Sequence, residues 1–136
     1  MGRRRGRRLI YFREAELFEA LKSIYPDLTP LSATDRADAV TADSYIEMKC
    51  RRTHYPTLLI EKKKWDYLAE IRARTACRTL YINSTPKGIY QFDLGALNEP
   101  EWFLKRIADK TDFAGGKPID KLVGFLDIRH SELLLV

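Results

Sequence analysis

A chain of 136 residues, 45% hydrophobic and 32% charged, has the length of one domain with one core and the composition of a globular protein. No apolar run approaches the roughly 18 residues of a membrane span, and two cysteines, Cys50 and Cys77, exclude a disulfide-stapled scaffold. The net charge is +5, and the five arginines Arg3, Arg4, Arg5, Arg7 and Arg8 account for all of it, so residues 9–136 are formally neutral.

Basicity gathered at one end is a local device. Arginine pairs with phosphate in a bidentate way, so residues 1–10 read as a flexible basic arm for a phosphate backbone, and residues 11–136 as a single domain. Met1 is not followed by the apolar stretch of a secretory signal. Both cysteines are expected reduced, at least one of them buried, in a cytoplasmic protein (the host cytoplasm if phage-encoded). There is no CxxC and no Cys/His cluster, so structural zinc is not expected.

After the arm, Leu17, Ala20, Leu21 and Ile24 recur at helical spacing and predict a helix over 13–24. Tyr25-Pro26 closes it, because the residue before proline avoids the α region. Glu14 lies early in this helix, at the edge of its apolar stripe, where a carboxylate also suits the positive helix end. Residues 27–35, with Pro30 and Ser32-Ala33-Thr34, read as a loop.

Residues 38–49 predict a β-hairpin with a two-residue turn at Ala42-Asp43. That turn sets Thr41 against Ser44, Val40 against Tyr45, Ala39 against Ile46 and Asp38 against Glu47. Strand side chains alternate, so Asp38, Glu47 and Lys49 share one face, while Ala39, Ile46, Met48 and Cys50 suit a core. Two opposed carboxylates repel unless a cation lies between them, and a divalent metal is the economical explanation. A longer turn would bring Asp35 or Asp43 into question in place of Asp38.

Arg51 to Pro56 reads as a basic exit loop. A second helix is expected from Leu58 or Leu59 to Arg74, with Ile60, Lys64, Tyr67, Leu68 and Ile71 on one face and Lys62, Lys63 and Arg72 on polar ones. Strands are expected over 78–83 and 89–94, paired as a hairpin. Asn98-Glu99-Pro100 has the form of a helix start, and a helix is expected to about Lys110, with Trp102, Phe103, Leu104 and Ile107 apolar. Residues 111–118, with Gly115-Gly116, read as a loop without a nucleotide-cradling pattern. A strand is expected over 121–128. Residues 132–136 read as a strand or a helical stub, closing the chain's own sheet or docking on a second copy. The element order is that of an α/β or α+β fold with a mixed sheet.

The motif Asp38-x8-Glu47-Met48-Lys49, set in a strand and followed by a basic loop and an amphipathic helix, resembles the PD-(D/E)xK nuclease superfamily. Within it the chain looks most like small resolvase-type and phage-type endonucleases, in which a first-helix glutamate precedes the motif; Glu14, in Glu-x-x-Leu-x-x-x-Leu, matches that position. Ala37 stands where the motif's name has proline. The resemblance covers about residues 13–94. It implies a restriction-endonuclease-like αβββαβ core: a mixed central sheet flanked by helices. It implies Mg²⁺ or Mn²⁺ held by Asp38 and Glu47, with the main-chain carbonyl of Met48 and Glu14 as further ligands, and Lys49 beside the attacking water. Hard oxygen ligands suit those ions.

The expected function is metal-dependent hydrolysis of DNA phosphodiester bonds, selective for structures such as junctions or branches rather than for sequence, since no base-reading module is visible. Arg3, Arg4, Arg5, Arg7, Arg8, Arg51, Arg52, Lys62 and Lys63 are the candidate phosphate contacts. A homodimer would suit symmetric cutting of two strands. Two other readings stay open: a DNA- or partner-binding protein on the same fold without turnover, and RNA as the substrate.

Overall fold

The computed structural model describes residues 12–108 and 118–135. Among these residues two helices, α1 (Glu14–Lys22) and α2 (Lys62–Thr75), accompany nine strands. These are β1 (Thr29–Pro30), β2 (Ala39–Val40), β3 (Ser44–Cys50), β4 (Thr57–Glu61), β5 (Arg78–Thr85), β6 (Gly88–Asp93), β7 (Phe103–Ala108), β8 (Pro118–Asp127) and β9 (Glu132–Leu135). The fold is mixed α/β. Six strands form one sheet in the order β1-β2-β3-β5-β6-β9, and three form a second in the order β4-β8-β7. The pair β3·β5 is parallel, with β4 and α2 in the connection between them; the remaining pairs are antiparallel.

Helix α1 forms where the heptad-like spacing predicts it. Glu16 reaches back to the Arg13 amide at 2.8 Å and satisfies one of the orphan donors of the first turn. Leu17 and Leu21 are buried against Leu28, Ala39, Ile46, Met48, Leu80, Ile82 and Ile89 on one face of the large sheet. The other face is covered by α2 and the small sheet. There Trp65, Leu68 and Ile71 meet Leu58, Ile60, Leu126, Tyr81, Phe92 and Leu94. Burying each such Leu, Ile or Phe side chain contributes about 1.5–3 kcal/mol before entropy is counted. Strand β3 therefore lies between two cores. Its alternation sends Ile46 and Met48 into the first and Tyr45 towards the second.

Several expectations are corrected. The helix expected over 98–110 is not formed in its described part. A short 3₁₀ turn at Leu94–Ala96 is followed by extended chain and then by β7. Trp102 Nε1 donates to Glu99 Oε2 at 2.6 Å, and Pro100 and Trp102 press onto Gly124 of β8. This holds the chain extended, and β8 supplies the backbone partners that a helix would have found within itself. The second helix begins at Lys62, not at Leu58 or Leu59. Thr57–Glu61 instead pairs with β8, burying Leu58 and Ile60 on alternate positions. The helix face turns accordingly, so that Trp65 is buried and Tyr67 half-buried. Thr29–Pro30, expected as loop, forms an edge strand, where proline is tolerated. Cys50 and Cys77 are free thiols, and neither is fully buried. Residues 132–135 close the chain's own sheet against β6. No helix among the described residues is long and apolar enough to cross a membrane.

A Cβ at Gly124 would lie 2.8 Å from Pro100 Cγ and 3.0 Å from Trp102 Cζ3. A proline ring packed on a strand has little freedom to yield. Gly124→Ala is expected to lower stability by about 1–3 kcal/mol in urea unfolding; an unchanged midpoint would show that the residues 98–102 segment is not clamped by β8.

Candidate functional site

The 38–49 hairpin has the expected register as far as Ala39 and Ile46, but the expected ladder pairing of Asp38 with Glu47 is not formed. Val40 pairs with Tyr45 and Ala39 with Ile46, and the Thr41 amide donates to Ser44 O at 2.9 Å across the two-residue turn. Asp43 holds that turn, its Oδ1 accepting from Thr41 Oγ1 at 3.1 Å and Ser44 Oγ at 2.8 Å. Asp35 belongs to the preceding loop and accepts from the Ser32 amide and hydroxyl. Neither acid competes with Asp38.

At Asp38 the regular ladder ends. Its amide donates to Ile46 O, the carbonyl of Ala39's ladder partner, and its own carbonyl accepts from Leu31, both at 3.0 Å. Its Oδ2 accepts the Met48 amide at 2.8 Å, standing in for a strand carbonyl. The carboxylate is thus fixed at the edge of β3 beside Glu47. Met48 buries its side chain in the first core. Its carbonyl leaves the strand on the same side as its amide, towards Asp38.

Glu47 faces the second core, beside Tyr81 in register on β5. Its side chain is only 13% exposed. Burial, then the charge of Asp38, push its carboxyl up to about 7, against the opposing pull of Lys64 and Lys49. Glu14, exposed at the start of α1, is also raised, first by partial burial and then by Asp38, with Lys49 pulling the other way. The charges of Glu14, Asp38, Glu47 and Lys49 therefore act on one another. Glu47 Oε2 lies 3.3 Å from Lys64 Nζ, while Oε1 is buried with no hydrogen-bond partner among the described residues. A cation set between Asp38 and Glu47 would relieve their repulsion and give Oε1 a partner. Among the described residues, no group of three or more His, Cys, Asp and Glu side chains could by itself hold a metal ion.

Arg51, expected on a phosphate, is engaged inside the fold. Its Nε donates to Asn83 Oδ1 at 2.9 Å, and its Nη2 donates to Leu59 O at 2.6 Å and to Tyr81 Oη at 3.0 Å. Since Nε–H can only donate, it fixes which way the Asn83 amide points; Asn83 Nδ2 is then left buried without a partner among the described residues. Lys62 pairs with Asp66 at 2.7 Å, Lys63 is exposed, and Arg52 is exposed in the loop. The arm arginines Arg3 to Arg8 lie outside the described residues. Tyr45 is half-buried packing, His54 bonds Thr85 Oγ1 through Nδ1, and His130 is exposed.

Sequence reasoning left Lys64, Tyr81 and Asn83 out of the site. Tyr81 and Asn83 reach it only through the parallel pairing of β5. Lys64 had one local signal: three lysines and no acid in a first helical turn, against the helix dipole. Comparison with protein-family models, with curated proteins and with solved structures finds no match for this chain.

The pH dependence follows from Glu47. Its folded pKa lies above the unfolded value, so between about pH 4.5 and 7 the native state retains a proton that the unfolded chain has lost. In EDTA, stability should fall as pH rises through that window, by about 2–4 kcal/mol on account of this group. Glu47→Gln should flatten the decline in urea titrations at pH 5 and 8; an equally steep decline in the variant would assign it to other groups.

Proposed function

We propose that this chain is a divalent-metal-dependent endonuclease acting on DNA, built on a restriction-endonuclease-like core. The observation that carries the reading is Glu47: a carboxylate held in a central strand, with one oxygen lacking a partner among the described residues, a second acid fixed beside it and Lys49 two residues on along the same face. Topology supports it. An N-terminal helix, three neighbouring antiparallel strands β1-β2-β3, and a helix leading to β5 parallel to β3 are compatible with the αβββαβ order that the motif implies, with β4 as an additional strand between β3 and α2. Strand β4 leaves this core to join the second sheet.

The donor set suits a small hard cation. Mg²⁺ keeps several waters and takes one or two carboxylates plus substrate oxygens, rather than a full protein cage. Asp38 and Glu47 would hold it, with the Met48 carbonyl and Glu14 nearby. When bound, such an ion offsets the charge gathering on the scissile phosphate and acidifies water. Asp38 is oriented for this by the Met48 amide, and Glu47 by its strand. Lys49 sets an ammonium beside the two acids, where it can orient the attacking water and stabilise developing negative charge. Lys63, Arg52 and the arginines of residues 3–8 carry the charge that would meet a phosphate backbone, which supplies affinity without reading sequence. Structure-selective cutting of branched DNA is the form of activity this favours.

The second reading, DNA or partner binding without turnover, draws on Lys64, which already neutralises Glu47, and on the lack of a three-ligand cluster among the described residues. A panel of supercoiled plasmid, single strands, branched junctions and RNA, incubated with Mg²⁺, Mn²⁺ or EDTA, separates the readings. Metal-dependent cleavage is expected, falling at least about a hundredfold in Asp38→Ala, Glu47→Ala and Lys49→Ala. Equal activity in the three variants would remove these residues from the site, and binding without products would favour the second reading.

Deletion of residues 2–8 tests the arm. It should lower the slope of log K against log salt by about 4, the expectation for five lost phosphate contacts. An unchanged slope would take the arm out of the interface.

A further inference from the structure

Helix α2 opens with Lys62, Lys63 and Lys64 and has no acid in its first turn. The helix dipole disfavours cations at this end. Glu61, at the N-cap, does not compensate: its carboxylate pairs with Lys121 at 3.2 Å and makes no cap bond. Lys62 is neutralised by Asp66, and Lys63 stands exposed. Lys64 alone of the three turns to the acidic site, its Nζ 3.3 Å from Glu47 Oε2 and 3.1 Å from Arg36 O. What holds an ammonium at the unfavourable end of a helix is the carboxylate it faces.

We propose that Lys64 is the resident counter-cation of Glu47, a built-in competitor that a divalent ion displaces when it loads the site. The proposal rests on the reading that Glu47 and Asp38 hold a metal. Glu47 has one oxygen on Lys64 and the other without a partner among the described residues. A dication at that second oxygen would lie within a few ångströms of the ammonium, and the two like charges would repel. Lys64 can withdraw. Its side chain is 32% exposed and its stem is flexible, and its other anchor is a single carbonyl on an exposed loop residue. Lys49 differs in starting from the central strand, two residues from Glu47 on the same face. The pairing keeps the acids compatible with folding while no metal is bound, and it sets the metal concentration at which the site fills.

The test counts Mn²⁺ bound to the full chain by electron paramagnetic resonance of the free ion at pH 8.5. Parent, Lys64→Met, Lys64→Arg and Glu47→Gln are compared, with no substrate present. Lys64→Met is expected to bind Mn²⁺ about five- to tenfold more tightly than the parent, the effect of removing one like charge from a partly hydrated site. Lys64→Arg, which keeps the charge, should stay near the parent, and Glu47→Gln should lose the site. If Glu47→Gln abolishes binding but Lys64→Met binds no more tightly than the parent, the metal site stands and the competitor role fails. If parent and Lys64→Met both bind no Mn²⁺, or Glu47→Gln binds as the parent does, both readings fall together.

Discussion

The position of β3, hydrogen-bonded to β2 on one edge and β5 on the other with a core against each face, is the constraint from which the rest of the site follows. A strand so placed has little solvent to offer any of its side chains. Ile46 and Met48 benefit from that. Glu47 does not, and its charge is taken out of water by the topology around it rather than by any local preference. Asp38 then answers from the end of β2, where the ladder breaks and its carboxylate takes the place of a backbone acceptor for Met48. Two acids are thereby held side by side by main-chain geometry.

Such an arrangement opposes folding, and the compensation is visible. Lys64 reaches Glu47 from a helix end where each lysine costs about 0.3–1 kcal/mol. That cost is smaller than leaving a buried carboxylate alone, which is of the order of 3–5 kcal/mol when one partner of a buried pair is removed. Among the described residues, Asn83 Nδ2 and Glu47 Oε1 remain without partners in the same region. Unmet polar groups and conflicts with local rules gather at this one face of the sheet.

The second sheet shows where local patterns mislead. Asn98-Glu99-Pro100 has the chemistry of a helix start, yet the chain is held extended by Pro100 and Trp102 lying on Gly124. Thr57–Glu61 carries apolar residues that a helix could use, yet β8 claims them in register from Thr57 against Asp127 to Glu61 against Val123. Both misreadings share a cause: the partner that decides the conformation lies more than twenty residues away in sequence. Arg51 belongs to the same class through Tyr81 and Asn83, 30 and 32 residues away. Its charge beside a basic loop suggested a phosphate, but Leu59, Tyr81 and Asn83, brought close by β4 and β5, use its donors instead.

The sequence by itself determined the hairpin, its register from Ala39 to Ile46 and the shared face of Glu47 and Lys49, because a two-residue turn and a period of two leave no other arrangement once the apolar face is buried, whereas Asp38 is set by the break in the ladder and its bond to the Met48 amide. It determined α1, and it marked the β5–β6 hairpin, whose partners are near neighbours in the chain. Tertiary structure alone decided that Glu47 is buried rather than solvated, that Lys64 is its partner, and that Arg51 braces the fold. Each of these depends on which distant strand or helix comes to lie against β3, and periodicity within a segment carries no information about what will be packed upon it.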